Sequence, residues 1–318
     1  MIKLFSGSAN KKLSQKISQI LKIPLSNSQV VRFDNSEVRV TIKENVKNST
    51  SIIIQSTSNP TDTHLMELFF FADALKRGGA KEIVAFIPYF GYARQNREHT
   101  PGEAVSANVV IRFLETIGFN AVYTINLHDE GTEGIFSITF KNLSAFNILS
   151  SFIKKYLIEN NFIDSKNFLD STVIVSPDQG GVERAQDFSD LFFEGKIKDI
   201  AVVEKKRNLE KIHESKALNI YGDVKNKICI IVDDIITSGG TLVHASDLCL
   251  EKKAKKVFAC IVHHDFSSSA KKILEKSSIE KIFTTDTIFL KENQKFKKLE
   301  EVSIAPLIAE EIRSKFLS

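Results

Sequence analysis

Short apolar segments alternate with longer amphipathic segments along this chain of 318 residues. The short segments are rich in Ile and Val and predict β-strands, whereas the longer ones have the spacing of helices. In the first half the alternating segments are 52–55, 63–77, 82–88, 106–117 and 121–126. In the second half the predicted strands are 172–176, 201–203, 227–232, 256–262 and 281–284, with a helix after Thr241. This alternation predicts the α/β fold class, with parallel sheets that have helices on both faces.

The two halves of the chain look like copies of one unit. The sequences AKEIVA (80–85) and AKKVFA (254–259) each close a predicted helix and open a predicted strand. The length is sufficient for two domains of ordinary size, and we predict an N-terminal domain at 1–146 and a C-terminal domain at 147–318. The final helix, 306–317, is apolar enough to dock, and the N-terminal domain is one candidate for its partner.

Composition restricts the class of protein. An apolar content of 42% supports packed cores, and no apolar run has the length of a membrane span or the form of a signal peptide. A cytoplasmic protein without membrane association is therefore predicted. The 43 Lys and Arg residues against 39 Asp and Glu residues give a net charge of +4, which is too small and too dispersed to predict nucleic-acid binding. Three cysteines without metal-type spacing predict neither disulfides nor a zinc site.

The most specific chemistry lies in the sequence IIVDDIITSGGT (230–241), which joins a buried strand to a polar turn. Asp233 and Asp234 are predicted to stand where the strand ends, and their carboxylates can accept hydrogen bonds from a cis-diol. The turn offers hydroxyls and backbone N–H groups to a phosphate at the start of the next helix, from Thr237, Ser238, Gly239, Gly240 and Thr241. A phosphorylated pentose has both groups. An Asp pair can also simply cap a helix, but the hydroxyl and glycine residues favour the phosphate site.

Five further polar stretches stand beside predicted strands. They are RFDNSE (32–37), PYFGYARQNRE (88–98), NLH (126–128), SPDQGG (176–181) and EKKR (204–207). In order and spacing, these stretches and the 230–241 loop resemble the ribose-phosphate pyrophosphokinase family, also called phosphoribosyl pyrophosphate synthetases. The loop alone is also similar to that of phosphoribosyltransferases. The resemblance covers nearly the whole chain and implies two type I phosphoribosyltransferase-like domains.

The resemblance implies an ATP site in the N-terminal half. Phe33, Asn35 and Glu37 would bind the adenine ring. Arg94 and Gln95 would contact ATP from the second stretch, with Arg97 and His99 as weaker neighbours. Taken without the resemblance, Phe33 reads as a core side chain, Glu37 as a solvated strand residue and the 94–99 segment as a charged surface turn.

The resemblance also implies that His128 and Asp178 hold Mg²⁺ on ATP, which suits a hard cation that keeps several waters. Many members have Asp where this chain has Asn126, which removes one carboxylate near the metal. Lys205 and Arg207 match a loop that closes over the reacting phosphates, and Arg207 would also contact ribose 5-phosphate. Taken alone, His128 reads as a packing residue and the 204–215 segment as a solvated hairpin.

These expectations lead to one reaction. The pyrophosphoryl group of ATP would pass to the C1 hydroxyl of ribose 5-phosphate, giving phosphoribosyl pyrophosphate and AMP. Two alternatives stay open: a phosphoribosyltransferase that consumes phosphoribosyl pyrophosphate, and a non-catalytic partner subunit of a synthetase. The resemblance further implies self-association into dimers built into hexamers.

Overall fold

The computed structural model describes residues 1–164, 167–207 and 215–317, and within them the side chains of all residues except 205–207 and 215–218. None of the described helices is both long enough and apolar enough to cross a membrane.

The described chain divides into two compact units. The N-terminal unit combines Met1–Ser144 with Asp286–Phe289 and with the segment from Ser303 onward. The C-terminal unit combines Ala145–Thr285 with Leu290–Val302. The chain therefore returns to the N-terminal unit twice after leaving it.

The N-terminal unit is built on a parallel sheet. In chain order its first elements are β1 (Ile2–Ser6), α1 (Lys11–Leu21), β2 (Ser28–Arg32), β3 (Val38–Ile42), β4 (Thr50–Ile54), α2 (Thr61–Arg77), β5 (Glu82–Ile87), α3 (Ser106–Ile117), β6 (Ala121–Ile125) and β7 (Thr139–Leu143). Among the described residues the sheet has the order β1-β4-β5-β6-β7, and β2 and β3 form a separate antiparallel hairpin. Consecutive buried residues such as Ile52 and Ile53 show that β4 is covered on both faces, as parallel sheets are.

The C-terminal unit has a larger sheet. Its elements are α4 (Phe146–Glu159), α5 (Phe168–Ser171), β8 (Thr172–Ser176), α6 (Val182–Phe192), β9 (Ala201–Arg207), β10 (Ser215–Tyr221), β11 (Ile228–Ile236), α7 (Gly240–Glu251), β12 (Lys256–His264), α8 (Ala270–Lys276), β13 (Lys281–Thr285) and β14 (Leu299–Val302). The order within the described chain is β10-β9-β8-β11-β12-β13-β14, parallel except for the β9–β10 pair. The α/β fold class with mostly parallel sheets is therefore confirmed.

The two units share one connectivity. Each has a strand and a helix, then an antiparallel hairpin, then strand, helix, strand, helix and two strands. In this comparison β4 corresponds to β11, and the β2–β3 hairpin corresponds to the β9–β10 hairpin. The repeat seen in the sequence at the start of β5 and β12 therefore extends over the whole topology.

The helix that ends each repeat belongs to the other unit. Helix α4 follows β7 in the chain, yet it packs against α6 in the C-terminal unit, where the rings of Phe146 and Phe188 are 5.6 Å apart. The last helix, α9 (Ala305–Phe316), follows β14, yet it packs against α1 in the N-terminal unit. There Lys141 forms an ion pair of 2.7 Å with the nearly buried Glu311. The repeats have thus exchanged their terminal helices.

Two strands are longer than the sequence pattern predicts. Strand β11 was expected to end at Val232 but continues to Ile236, because β12 is equally long and pairs with it as far as His264. Asp233 and Asp234 therefore lie within the strand rather than after it. Strand β9 likewise continues to Arg207 through its antiparallel pairing with β10.

Candidate active site

The turn between β11 and α7 forms an anion-binding geometry. Gly239 is the N-cap of α7 and has a left-handed φ of 85°, and a Cβ there would lie 2.7 Å from the Leu274 side chain. Gly239 has no side chain that could cap α7, the Gly240 N–H makes a long hydrogen bond of 3.4 Å to the Ser238 hydroxyl, and Ser238 and Thr241 are exposed beside it. The positive end of the helix dipole and the first N–H groups of α7 therefore lie at the surface, where a phosphate can bind.

The two carboxylates on β11 share one cationic partner, Arg184 on α6. Its Nη1 lies 2.8 Å from Oδ1 of Asp233 and 3.2 Å from Oδ1 of Asp234. The Asp234 side chain is only 4% exposed, whereas that of Asp233 is 21% exposed. The sequence analysis did not identify Arg184. Its position on the helix after β8 indicates a contact with the Asp pair only when it is known that β8 lies next to β11.

Asp178 stands at the carboxyl end of β8, next to β11. Its Oδ1 accepts a hydrogen bond of 3.1 Å from the Gly181 N–H, and its carbonyl accepts one of 2.7 Å from the Ser176 hydroxyl. A Cβ at Gly181 would lie 2.9 Å from the Ser176 hydroxyl oxygen, so the turn favours glycine. The SPDQGG sequence therefore fixes one carboxylate at the same edge as the Asp pair.

The electrostatics of this edge are dominated by carboxylates. Burial and the neighbouring charge of Asp234 raise the pKa of Asp233 to about 8, with a further increase from Asp178, while the Arg184 guanidinium opposes the shift. A divalent cation or the hydroxyl donors of a sugar would relieve this repulsion. The oxygen donors present thus fit Mg²⁺, which prefers carboxylate and phosphate oxygens.

A second polar edge lies in the N-terminal unit, in the loop after β5. A Cβ at Gly91 would lie 2.3 Å from the Thr57 carbonyl oxygen, so only glycine allows this close approach. Gln95 is anchored because its side-chain oxygen accepts a hydrogen bond of 2.7 Å from the Ser106 hydroxyl at the start of α3. The side chains of the predicted ATP loop are exposed in the structure, namely those of Arg94, Gln95, Arg97 and His99.

His128 lies beside this loop, at the end of the neighbouring strand β6. Asn126 has a left-handed φ of 40°, which Asn adopts more readily than most residues, and this turn leads the chain to His128. The carboxamide of Asn96 donates a hydrogen bond to Asp129, so the ATP loop and the His128 loop are joined. Asp129 also accepts a hydrogen bond of 2.9 Å from the Gly131 N–H.

The third polar group forms the tip of the β2–β3 hairpin. Phe33 is 42% exposed, which argues against the reading of it as a core side chain. The tip is fixed by a 2.9 Å hydrogen bond from the Phe33 N–H to the Glu37 carbonyl and one of 3.2 Å from the Glu37 N–H to the Asn35 side chain. The Arg39 guanidinium lies 5.3 Å from the centre of the Phe33 ring. Among the described residues, no hydrogen bond or ion pair joins this tip to the loop of Arg94.

Two predicted site residues are described only by their backbones. The backbones of Lys205 and Arg207 lie in β9 and pair with Ala217 and Ser215 of β10, but their side chains lie outside the described residues, as does the 208–214 segment. The described residues contain no group of three or more His, Cys, Asp or Glu side chains suited to a metal ion. A shared ion between His128 and Asp178, which belong to different units, stays a prediction.

Comparisons with known proteins decide the family. Residues 2–118 match the model of the N-terminal domain of ribose phosphate pyrophosphokinase, and residues 195–317 match the phosphoribosyl synthetase-associated domain. The ribose-phosphate pyrophosphokinase of Campylobacter jejuni is 40% identical over 311 residues, which cover 98% of this chain and 94% of that protein. The chain belongs to the ribose-phosphate pyrophosphokinase family.

Other members of the family agree over the same length. The Aquifex aeolicus ribose-phosphate pyrophosphokinase is 38% identical over 312 residues, which cover 98% of this chain and 95% of that protein. The crystal structure of phosphoribosylpyrophosphate synthetase from Mycobacterium smegmatis matches with a TM-score of 0.88 at 31% identity and covers 99% of both chains. Membership in the family therefore rests on sequence and fold together, and both extend over both units.

Proposed function

We propose that this protein transfers the β,γ-pyrophosphoryl group of ATP to the C1 hydroxyl of ribose 5-phosphate, giving phosphoribosyl pyrophosphate and AMP. The observation that carries the proposal is the β11–α7 edge, where a carboxylate pair precedes a helix start whose N-cap is a glycine. That edge suits a sugar phosphate, and it occurs in a chain that resembles ribose-phosphate pyrophosphokinases over 98% of its length.

Ribose 5-phosphate would bind at the C-terminal unit. Its phosphate would accept hydrogen bonds from N–H groups at the start of α7 and from the hydroxyls of the turn, supplied by Thr237, Ser238 and Thr241 with Gly239 and Gly240 between them. Its ring hydroxyls would donate to Asp233 and Asp234. This division of roles leaves the C1 hydroxyl as the group that reacts.

ATP would bind at the N-terminal unit. The exposed ring of Phe33 would stack on the adenine, while Asn35 and Glu37 contact the edge of the base. The exposed guanidinium of Arg94 suits phosphate oxygens, as do the guanidinium of Arg97 and the imidazole of His99, and Gln95 adds an amide contact.

Mg²⁺ would be held by His128 and Asp178 together with phosphate oxygens. When bound, the ion withdraws charge from the phosphates of ATP and makes the β-phosphorus a better electrophile. The hydrogen bond from the Gly181 N–H supports this role for Asp178, because it restrains the carboxylate. His128 is placed by the Asn126 turn at the end of β6.

The transfer itself needs alignment and charge stabilisation more than a covalent intermediate. The C1 oxygen forms a bond to the β-phosphorus, the bond between that phosphorus and the α,β-bridging oxygen breaks, and AMP leaves with the electron pair. The hydroxyl proton is released. Lys205 and Arg207 would neutralise the charge that develops on the transferred group, and Arg207 would also contact ribose 5-phosphate.

The test is to incubate the purified chain with Mg²⁺, ATP and ribose 5-phosphate and to follow the products by phosphorus NMR. AMP and phosphoribosyl pyrophosphate in equal amounts are expected. A phosphoribosyltransferase would leave ATP intact, and a non-catalytic subunit would form neither product. We further propose, from the same family membership, a cytoplasmic enzyme that self-associates into dimers or hexamers, which sedimentation of the purified chain would check.

A further inference from the structure

Arg184 is a cation in the middle of the carboxylate edge of the C-terminal unit. Its side chain is only 17% exposed, and its Nη1 is within 3.2 Å of carboxylate oxygens on two consecutive residues of β11. Consecutive strand residues direct their side chains to opposite faces of a sheet. Although Asp233 and Asp234 are consecutive, one nitrogen of Arg184 contacts both carboxylates and so restrains the orientation of both.

The contacts of Asp233 distinguish its two oxygens. Oδ1 accepts a hydrogen bond of 2.8 Å from Arg184 and one of 2.9 Å from the Asp234 N–H. Neither of these two hydrogen bonds involves Oδ2. Because Oδ1 already has two donors, Oδ2 is the oxygen that can accept a hydrogen bond from a ligand.

The Arg184 side chain passes beside the turn before α6. A Cβ at Gly181 would lie 3.5 Å from Nη1 of Arg184, which is an ordinary contact, and 2.9 Å from the Ser176 hydroxyl oxygen, which is too close. Gly181 therefore borders the guanidinium, and its approach to Ser176 is what favours glycine. The arrangement joins the SPDQGG turn, α6 and the Asp pair into one packed unit.

We propose that Arg184 is a positioning residue for pentose recognition, which holds Oδ1 of Asp233 and thereby presents Oδ2 to the hydroxyls of ribose 5-phosphate. The inference rests on the proposed function, because it assumes that the Asp pair binds the pentose. Arg184 acts through the carboxylates and need not touch the substrate. Its planar guanidinium suits the role better than an ammonium group, because it holds several N–H donors in a fixed geometry.

The test compares Arg184→Gln and Arg184→Lys with the wild-type chain in steady-state kinetics. Loss of a charge-assisted contact should raise the KM for ribose 5-phosphate roughly 10- to 100-fold in Arg184→Gln. The KM for ATP should stay within about twofold, because the nucleotide is bound by other residues. The KM for ribose 5-phosphate should rise less in Arg184→Lys than in Arg184→Gln, since lysine keeps the positive charge but lacks the planar set of N–H donors.

Gln186→Ala is the matched control. Gln186 lies two positions further along the same helix, about 200° around its axis from Arg184, and its amide donates a hydrogen bond of 2.8 Å to the exposed Asp190. The control variant should leave both KM values unchanged. Circular dichroism and thermal melting check that each variant is folded. If Arg184→Gln does not fold, Arg184→Lys provides the test, with a raised KM for ribose 5-phosphate and an unchanged KM for ATP as the expected result.

An unchanged KM for ribose 5-phosphate in folded Arg184→Gln would overturn the inference, as would an equal rise in the KM for ATP. In the Asp233→Asn background the effect of Arg184→Gln should become smaller, and an undiminished effect would also count against it. The proposed function fails separately, because in that case the wild-type chain itself would form no AMP.

Discussion

At the scale of residues, the Asp pair and its surroundings show how far chemistry can be read from sequence. An apolar run followed by carboxylates is visible in the chain itself, so the sequence indicated that Asp233 and Asp234 belong with a strand, although they lie within β11 rather than after it. Arg184 is 49 residues away from Asp233, and the sequence did not reveal it because its contact depends on which strands are neighbours. The exposure of Phe33 was not visible either, since its position directly after a strand gives no sign that it lies at an exposed hairpin tip.

The titration of Asp233 is the first prediction at this scale. Its pKa is raised to about 8 by burial and by Asp234, so the folded state holds the proton more tightly than the unfolded state does. The stability that this proton contributes is therefore complete below about pH 4, the usual Asp value, and is lost as the pH rises through the folded value. Removing the charge of Asp234 should lower the pKa of Asp233.

Carbon NMR of labelled aspartate carboxyls checks this expectation. One carboxyl should titrate near the raised value in the wild-type chain and at a lower pH in Asp234→Asn, with Arg184 and Asp178 as the other charged groups beside it. The contrary result is a set of aspartates that all titrate near their usual pKa, or a titration that Asp234→Asn leaves in place.

Lys205 gives the second prediction. If its cation stabilises the transferred group mainly in the transition state, Lys205→Ala should reduce kcat by about two orders of magnitude or more and leave the binding of ribose 5-phosphate nearly unchanged. Lys206→Ala, the next residue on β9, is the matched control and should keep most of the activity. Rapid-quench and binding measurements separate the two effects. Near-normal turnover in Lys205→Ala would remove the residue from the proposed mechanism.

At the scale of elements, the two hairpins occupy the same place in the repeated connectivity. The β2–β3 hairpin carries the residues proposed for the adenine, and the β9–β10 hairpin carries Lys205 and Arg207. The sequence showed the alternation of strands and helices but missed the β2–β3 hairpin and the full length of β11. Both depend on pairing between strands, and that information is absent from a local pattern.

Gly239 provides the prediction at this scale. Gly239→Ala places a Cβ 2.7 Å from Leu274 at a positive φ, so the turn must shift or lose stability by about 1 kcal/mol or more. The shift should move the N–H groups at the start of α7 and raise the KM for ribose 5-phosphate while the KM for ATP stays constant.

Gly240→Ala is the matched control for stability, because a Cβ there meets nothing closer than the Ser238 hydroxyl oxygen at 3.8 Å and φ is not positive. Its melting temperature should equal or exceed that of the wild-type chain, since Ala is favoured over Gly in a helix. A Gly239→Ala variant with wild-type stability and kinetics would show that the turn does not depend on this conformation.

At the scale of the whole molecule, the exchange of terminal helices makes each unit depend on a segment that is distant in sequence. Helix α9 buries Ile312 in the N-terminal unit, and α4 buries Ile153 in the C-terminal unit. The sequence predicted that the final helix docks, because its apolar residues need burial. The destination of α4 and the return of the 286–289 segment were not visible, because both are set by packing between distant parts of the chain.

This exchange predicts which unit responds to each helix. Ile312→Ala should destabilise by about 2–5 kcal/mol and increase hydrogen exchange in peptides of the N-terminal unit, such as those of α1. Ile153→Ala should destabilise by a similar amount and increase hydrogen exchange in peptides of the C-terminal unit, such as those of α6. Hydrogen exchange with mass spectrometry measures both, and each variant serves as the control for the other. The assignment of the helices would be wrong if each variant loosened the opposite unit.

The central claim concerns one bond: the pentose oxygen attacks the β-phosphorus of ATP. The most direct measurement uses ribose 5-phosphate labelled with ¹⁸O at C1, together with Mg²⁺ and ATP, and locates the label by its isotope shift in the phosphorus NMR spectrum of the products. We expect the label in the oxygen that bridges C1 and the pyrophosphate, and we expect AMP to be unlabelled. A bridging oxygen that is less enriched in ¹⁸O than C1 of the unreacted sugar in the same sample, or ¹⁸O in AMP, would contradict the claim.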